Sequence, residues 1–318
     1  MKYTYEMSQI IEVTDLIKRY KKADKNAVDA ISFHVNEGEF FAFLGPNGAG
    51  KTTTISILTT TLSKTSGTIK IAGYDIEKEQ SQVRQNIGII FQNPSLDRNL
   101  SGEENIRFHA ILYGLYSFRP TFKMMPSEYK ERVLTLAKVL DMEKDMFKPI
   151  SSYSGGMKRK LEIVRGLMHK PKVLFLDEPT VGLDPLSRKN LWEYLKEVRK
   201  TDKTTVFLTT HYLDEAEDAD RICVINKGKI IALGTPDEIK EKLIEEYLII
   251  DAADRKALLN ELDTKHIRYT KDQHIRIDIQ AKTAQEIIKN IDTPLSHLET
   301  HIPTLEDAYL EIIGEAQS

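Results

Sequence analysis

The run "FFAFLGPNGAGKTT", residues 40–53, decides the architecture. Five apolar residues read as a buried strand. Behind them, Gly45-Pro46-Asn47-Gly48-Ala49-Gly50-Lys51-Thr52-Thr53 fits the pattern G-x-x-x-x-G-K-[ST]. "TTTISILTTTL" follows and reads as a helix. Strand, glycine loop and helix form the context this pattern needs. The glycines let the chain bend so that successive N–H groups face phosphate oxygens. Lys51 supplies a mobile positive charge for β- and γ-phosphates, and the Thr52 hydroxyl can ligate Mg²⁺.

Working outward, "VLFLDEP" (173–179) is a second buried strand, and it delivers Asp177 and Glu178 at its C-terminal end. Ligands bind at that end of a parallel sheet. Neighbours on a strand point to opposite sides, so the two carboxylates take different tasks. Asp177 is expected in the Mg²⁺ shell, and Glu178 is expected to polarise the attacking water. His211 follows the buried strand "TTVFLTT" and is expected at the γ-phosphate. Gln92 follows "NIGIIF" and is expected near Mg²⁺ or the attacking water.

The rest of the chain gives these pieces a frame. Strands and helices alternate through both flanks, which predicts an α/β fold with a mostly parallel sheet covered by helices. Strand-like residues 10–45 add a β subdomain. From about Gln92 to His169 the pattern turns helical, which marks an inserted helical subdomain. "RICVINKGKIIALG" reads as a hairpin turning at Asn226-Lys227-Gly228. Beyond it the order β-α-β-β-α-β predicts a small ferredoxin-like α+β domain. The expected domains are therefore 8–236 and 243–318.

Of 318 residues 29% are charged and the net charge is -3, so no nucleic-acid partner is expected. A single cysteine, Cys223, excludes an internal disulfide. No apolar run approaches the ~18 residues needed to span a bilayer. Any membrane part must come from another chain.

"SYSGGMKRKL" (152–161) reads either as a second anion site or as a plain helix start after a flexible turn. Ser154, Gly155 and Gly156 precede the stripe Met157, Leu161, Val164, Met168, which is one face of a helix. Bare amides and the positive helix end attract a phosphate. With "GPNGAGKTT", Gln92, "VLFLDEP", "GLDP" and His211 in this order, residues 10–236 resemble the ATP-binding subunit of an ATP-binding cassette (ABC) transporter.

The resemblance implies a P-loop ATPase working as a head-to-tail homodimer. Each Ser154-Gly155-Gly156 caps the ATP held by the partner's P-loop. It implies that Tyr20 stacks on adenine and that Asp184 lies on the dimer seam. Tyr153 and Met157 depart from the usual Leu-Ser-Gly-Gly-Gln. Together with "PTLEDAYLEIIG" they resemble the daunorubicin- and nodulation-type exporter branch. That branch implies a separate six-helix permease of the ABC-2 type and a cytoplasmic location on the inner face of the membrane. The alternative is a soluble ABC ATPase of the translation or DNA-repair type. The single P-loop and the absence of a long coiled-coil insertion count against it.

Overall fold

The computed structural model describes residues 8–91, 95–210, 213–243, 247–271, 274–279, 284–301 and 304–315. The chain divides into two compact units, Met1–Leu233 and Gly234–Ser318.

The first unit opens with β1 (Gln9–Lys18), β2 (Val28–Asn36) and β3 (Phe40–Leu44), then α1 (Lys51–Leu58), β4 (Ser66–Ile71) and β5 (Tyr74–Asp75). A short α2 (Gln80–Asn86) leads into β6 (Ile87–Ile90). The helical insertion carries α3 (Gly102–Leu112), α4 (Ser127–Val139) and α5 (Gly155–Leu167). The alternation then resumes with β7 (Val173–Asp177), α6 (Pro185–Asp202), β8 (Thr205–Thr210), α7 (Leu213–Glu217), β9 (Arg221–Asn226) and β10 (Lys229–Gly234).

Two sheets result. One is antiparallel, in the order β2-β1-β4-β5, and the other has the order β10-β9-β3-β8-β7-β6. In the second, β9, β3, β8, β7 and β6 run parallel. These five strands are buried on both faces, whereas the edge strand β10 is partly exposed. On one face Phe41, Phe43, Phe175 and Phe207 come together, with centroids 5.3–5.6 Å from Phe207. Phe33 of the antiparallel sheet stacks on Phe41 at 5.6 Å. Each buried ring contributes about 2 kcal/mol by area. On the other face Trp192 of α6 stacks on Phe40 at 5.7 Å.

The β9–β10 connection is two residues long, with φ of 47° at Lys227 and 82° at Gly228. Two positive φ values in a row make the type I′ turn, whose twist matches a hairpin.

In the insertion α3 begins with a capping box. The Ser101 side chain accepts from Glu104 N, and the Glu104 carboxylate accepts from Ser101 N. "YSFRPTFKMMP", which has no periodic pattern, holds only a 3-10 turn at Phe122–Met124. It is anchored from α3: Arg107 donates to Arg119 O at 2.7 Å and pairs with buried Glu103 at 3.0 Å.

The second unit comprises α8 (Pro236–Leu243), β11 (Tyr247–Ala252), α9 (Arg255–Thr264), β12 (Thr270–Lys271), β13 (Ile275–Asp278), α10 (Ala284–Lys289), β14 (Leu295–His301) and α11 (Leu305–Glu315). Its antiparallel sheet has the order β12-β13-β11-β14. Between α8 and α11, this is the β-α-β-β-α-β sandwich that the sequence predicts. Leu248, Ile250, Leu258, Leu262, Ile275 and Ile277 form its core.

Candidate functional site

The glycine loop links the end of β3 to the start of α1. Gly50 caps α1 with φ of 114°, and a Cβ there would sit 2.6 Å from Ala27 O. Only glycine meets both conditions. The loop walls a cavity of about 160 Å³, lined by Ala27, Pro46, Asn47, Gly48, Gly50, Lys51, Thr52, Thr53 and Glu178. Lys51 is 7% exposed, and its Nζ donates to Gly45 O at 2.6 Å and Pro46 O at 3.2 Å. Burial lowers its pKa, and the nearby Glu178 and Asp177 carboxylates oppose that shift.

Tyr20 stands at the rim of this cradle. Its hydroxyl is 3.2 Å from Thr53 Oγ1, and its ring is 45% exposed. Lys18 Nζ lies over the ring, 5.4 Å from its centroid, so one edge and one face of Tyr20 have partners.

Asp177 and Glu178 separate by more than strand alternation. Asp177 ends β7 buried, and its carboxylate accepts from Thr209 Oγ1 on the neighbouring strand. Burial pushes its pKa up, partly offset by that hydrogen bond. Glu178 takes φ of 49°, a left-handed conformation that costs about 1–2 kcal/mol for a residue with a Cβ. Its N–H donates to Thr209 O at 2.9 Å. The turn brings Glu178 to the wall of the cradle, opposite Lys51 and Thr52. Gln92 and His211 lie outside the described residues.

Ser154 caps α5, its Oγ accepting from Met157 N at 3.2 Å. Ser154 and Gly155 are exposed, and Ser154, Gly155 and Gly156 are not among the residues lining their own chain's cradle. A Cβ on Gly156 would lie 2.8 Å from Gly182 O, so this turn packs directly on "GLDP". Asp184 caps α6, accepting from Ser187 N at 2.9 Å and Ser187 Oγ at 2.6 Å, with Lys160 at 3.3 Å. The Ser187 bonds hold its carboxyl well below the usual range. Pro185 follows at the first helical position, where its missing N–H costs nothing.

Two groups escape a reading by pattern. Glu215 is buried and gathers two hydroxyls, Thr180 Oγ1 and Thr210 Oγ1, the latter at 2.7 Å. It thereby joins the turn after Glu178 to the end of β8. Arg159 is 3% exposed, although it lies off the apolar stripe of α5. The spacing of apolar residues carries no signal for buried polar groups that bond to backbone.

Comparison with known proteins agrees with this geometry. The family profile described as "ABC transporter" matches residues 28–181. That of "ATP-binding protein DrrA1-3-like, C-terminal domain" matches residues 234–313. The linearmycin resistance ATP-binding protein LnrL of Bacillus subtilis is 33% identical over 318 residues, covering 96% of this chain and 98% of that protein. The Nod factor export ATP-binding protein I of Paraburkholderia xenovorans is 37% identical over 307 residues, covering 96% and 97%. Among solved structures, a dimeric post-hydrolysis state of the ATP-binding cassette MJ0796 with ADP and Pi superposes with a TM-score of 0.64. It has 25% identity and covers 71% of this chain and 98% of that one. Likeness from end to end to such proteins, over a phosphate cradle faced by a carboxylate, leaves one placement: the chain belongs to the ABC transporter family as an ATP-binding subunit, and it is an ATPase.

Proposed function

We propose that two copies of this chain close head to tail on two ATP molecules and power a separate ABC-2 type permease that exports a drug-like, lipid or polysaccharide substrate. The carrying observation is the Ser154-Gly155-Gly156 turn. It opens α5 toward solvent and takes no part in its own chain's cradle. A phosphate site facing outward serves another molecule's phosphate. The dimeric cassette matched above and the export and resistance names of the full-length relatives support this reading. They also count against a soluble translation or repair ATPase.

In this reading the amides of Gly45–Gly50 and Lys51 hold the ATP phosphates, and Tyr20 stacks on adenine. Thr52 and Asp177, with Gln92, would hold Mg²⁺. The fit is chemical: Asp177 is a buried carboxylate whose ionised form is disfavoured by burial, which a divalent cation reverses. When bound there, Mg²⁺ would supply positive charge that offsets the charge of the phosphates. Glu178 orients the attacking water and draws its proton. His211 meets the γ-phosphate. The partner's Ser154-Gly155-Gly156 amides cap the γ-phosphate from the far side, and Asp184 lies along the seam. Catalysis is positioning and charge stabilisation, with little covalent work.

No helix among the described residues is long and apolar enough to cross a membrane. In this reading the permease holds the subunit at the cytoplasmic face of the membrane. The segment "NPSLDRNLSGEENI" receives that partner, and residues 243–318 stabilise or regulate the dimer.

Mixed dimers test the shared sites. Placing Ser154→Arg in one subunit and Lys51→Ala in the other puts both lesions in one site and leaves the second intact. At saturating ATP the intact site should keep turning over, at up to about half of the wild-type rate. Placing both lesions in the same subunit damages both sites, and the rate should fall by ~10²-fold or more. The reverse pattern would mean that each chain completes its own site.

A further inference from the structure

We propose that Arg159 is the positioning residue that couples the two ATP sites of the dimer. It ties the helix that serves the partner's nucleotide to the backbone that sets Asp177 and Glu178, which serve its own. The inference rests on the head-to-tail dimer proposed above.

The guanidinium is a fork spread over backbone carbonyls. Arg159 Nε donates to Pro179 O at 3.0 Å, and Nη2 donates to Asp177 O and Glu178 O at 2.7 Å each. Nη1 donates to Phe91 O. Three successive carbonyls at the end of β7 thus hang on one side chain of α5. The same turn is held from the sheet side by Glu178 N donating to Thr209 O. The left-handed residue that presents the Glu178 carboxylate is gripped between β8 and α5.

One turn along, α5 grips the far side of the entry to the insertion. Glu162 accepts from Ser95 N at 2.7 Å, and Arg165 donates to Ser95 O at 2.7 Å and Ser95 Oγ at 2.9 Å. Phe91 and Ser95 flank residues 92–94, so both ends of that link are fastened to α5. The N-terminus of the same helix is Ser154-Gly155-Gly156. A displacement at either end of this rigid element is felt at the other.

Packing alone does not call for this arrangement. A buried guanidinium carries a desolvation penalty, and an apolar side chain of similar volume serves a helix–sheet contact as well. The fork also has a second contact in reach. Glu162 Oε2 lies 3.7 Å from Arg159 Nη1 and is buried with no hydrogen bond among the described residues. A shift of α5 away from β7 carries both residues together and draws the fork off the carbonyls of 177–179, and the freed guanidinium turns to Glu162 on its own helix to make a charge-assisted bond. Coupling needs two arrangements that both sites bias. The Arg159–Glu162 gap supplies the second.

The test is the ATP dependence of hydrolysis by the full-length protein, compared with Arg159→Gln and Arg159→Lys. Lysine keeps the charge but has one point of donation in place of a planar fork. Two coupled sites give a Hill coefficient approaching about 2, and both variants should fall toward about 1. Should the glutamine variant not fold, the lysine variant carries the measurement. A variant with lower Tm and slower turnover but an unchanged Hill coefficient makes Arg159 a structural staple and overturns the proposal. A parallel size measurement of the Glu178→Gln protein with ATP separates the two readings. If it stays monomeric, the dimer reading fails and this proposal with it. If it dimerises while Arg159→Lys keeps the wild-type Hill coefficient, only the coupling role falls.

Discussion

Replacing Glu178 with glutamine lowers ATP hydrolysis by ~10³-fold and leaves ATP binding in place, within the range that general-base removal gives. The expectation follows from where the left-handed turn puts this residue. Glu178 lines the cradle across from Lys51 and Thr52, whereas Asp177 is buried against Thr209. Glutamine keeps the size and an acceptor oxygen, so the fold and the phosphate contacts survive. It cannot take a proton from the attacking water. ATP therefore binds and persists, and the closed dimer accumulates. Phosphate release in a single turnover, with size-exclusion chromatography in ATP, reads both effects. Hydrolysis within about threefold of wild type would place the base elsewhere.

Replacing Lys51 with alanine weakens ATP binding by about 100-fold or more. Its ammonium holds two loop carbonyls, at 2.6 and 3.2 Å, and in the proposed reading it turns those donors to phosphate oxygens when ATP binds. Each charge-assisted bond to phosphate is worth roughly 1.5–3 kcal/mol, and two of them exceed two decades in Kd. Lys51→Arg should not rescue binding, because a planar fork does not fit the place of a point charge inside a tight loop. Stability should move little. Burial already disfavours the charged lysine, so losing it removes a cost as well as two hydrogen bonds. Equilibrium titration with a fluorescent ATP analogue, alongside a melting curve, checks the pair. A loss of affinity under about fivefold would remove Lys51 from the phosphate site.

Much of this architecture is legible in the chain because its signals are local. The run 40–53 combines a buried strand, a glycine loop and a helix in one window. The β9–β10 hairpin is visible because Gly228, between two apolar runs, suits a positive φ, whereas Lys227 gives no such signal. The ferredoxin-like order of the second unit follows from alternation alone. The remainder depends on contacts between distant segments. α2 has one buried residue, Val83, and so no stripe to read. Arg159 and Glu215 look like surface charges until backbone carbonyls and hydroxyls close around them. Strand alternation anticipates that Asp177 and Glu178 diverge. It does not anticipate the left-handed turn that makes them diverge, because the partner of that turn, Thr209, is on another strand.

Tyr153 has a consequence for how this chain can change over time. Its hydroxyl donates to Asp145 O at 2.6 Å, and a Cβ on Gly102 would sit 2.4 Å from that oxygen. The two positions are therefore epistatic. A side chain at 102 is blocked while tyrosine stands at 153, and Met146 O, 3.0 Å from the same Cβ, still crowds it once tyrosine is gone. Descent can pass from tyrosine to leucine first and only then enlarge residue 102. The opposite order meets a clash at its first step, and a larger residue at 102, once in place, bars the return of tyrosine to 153.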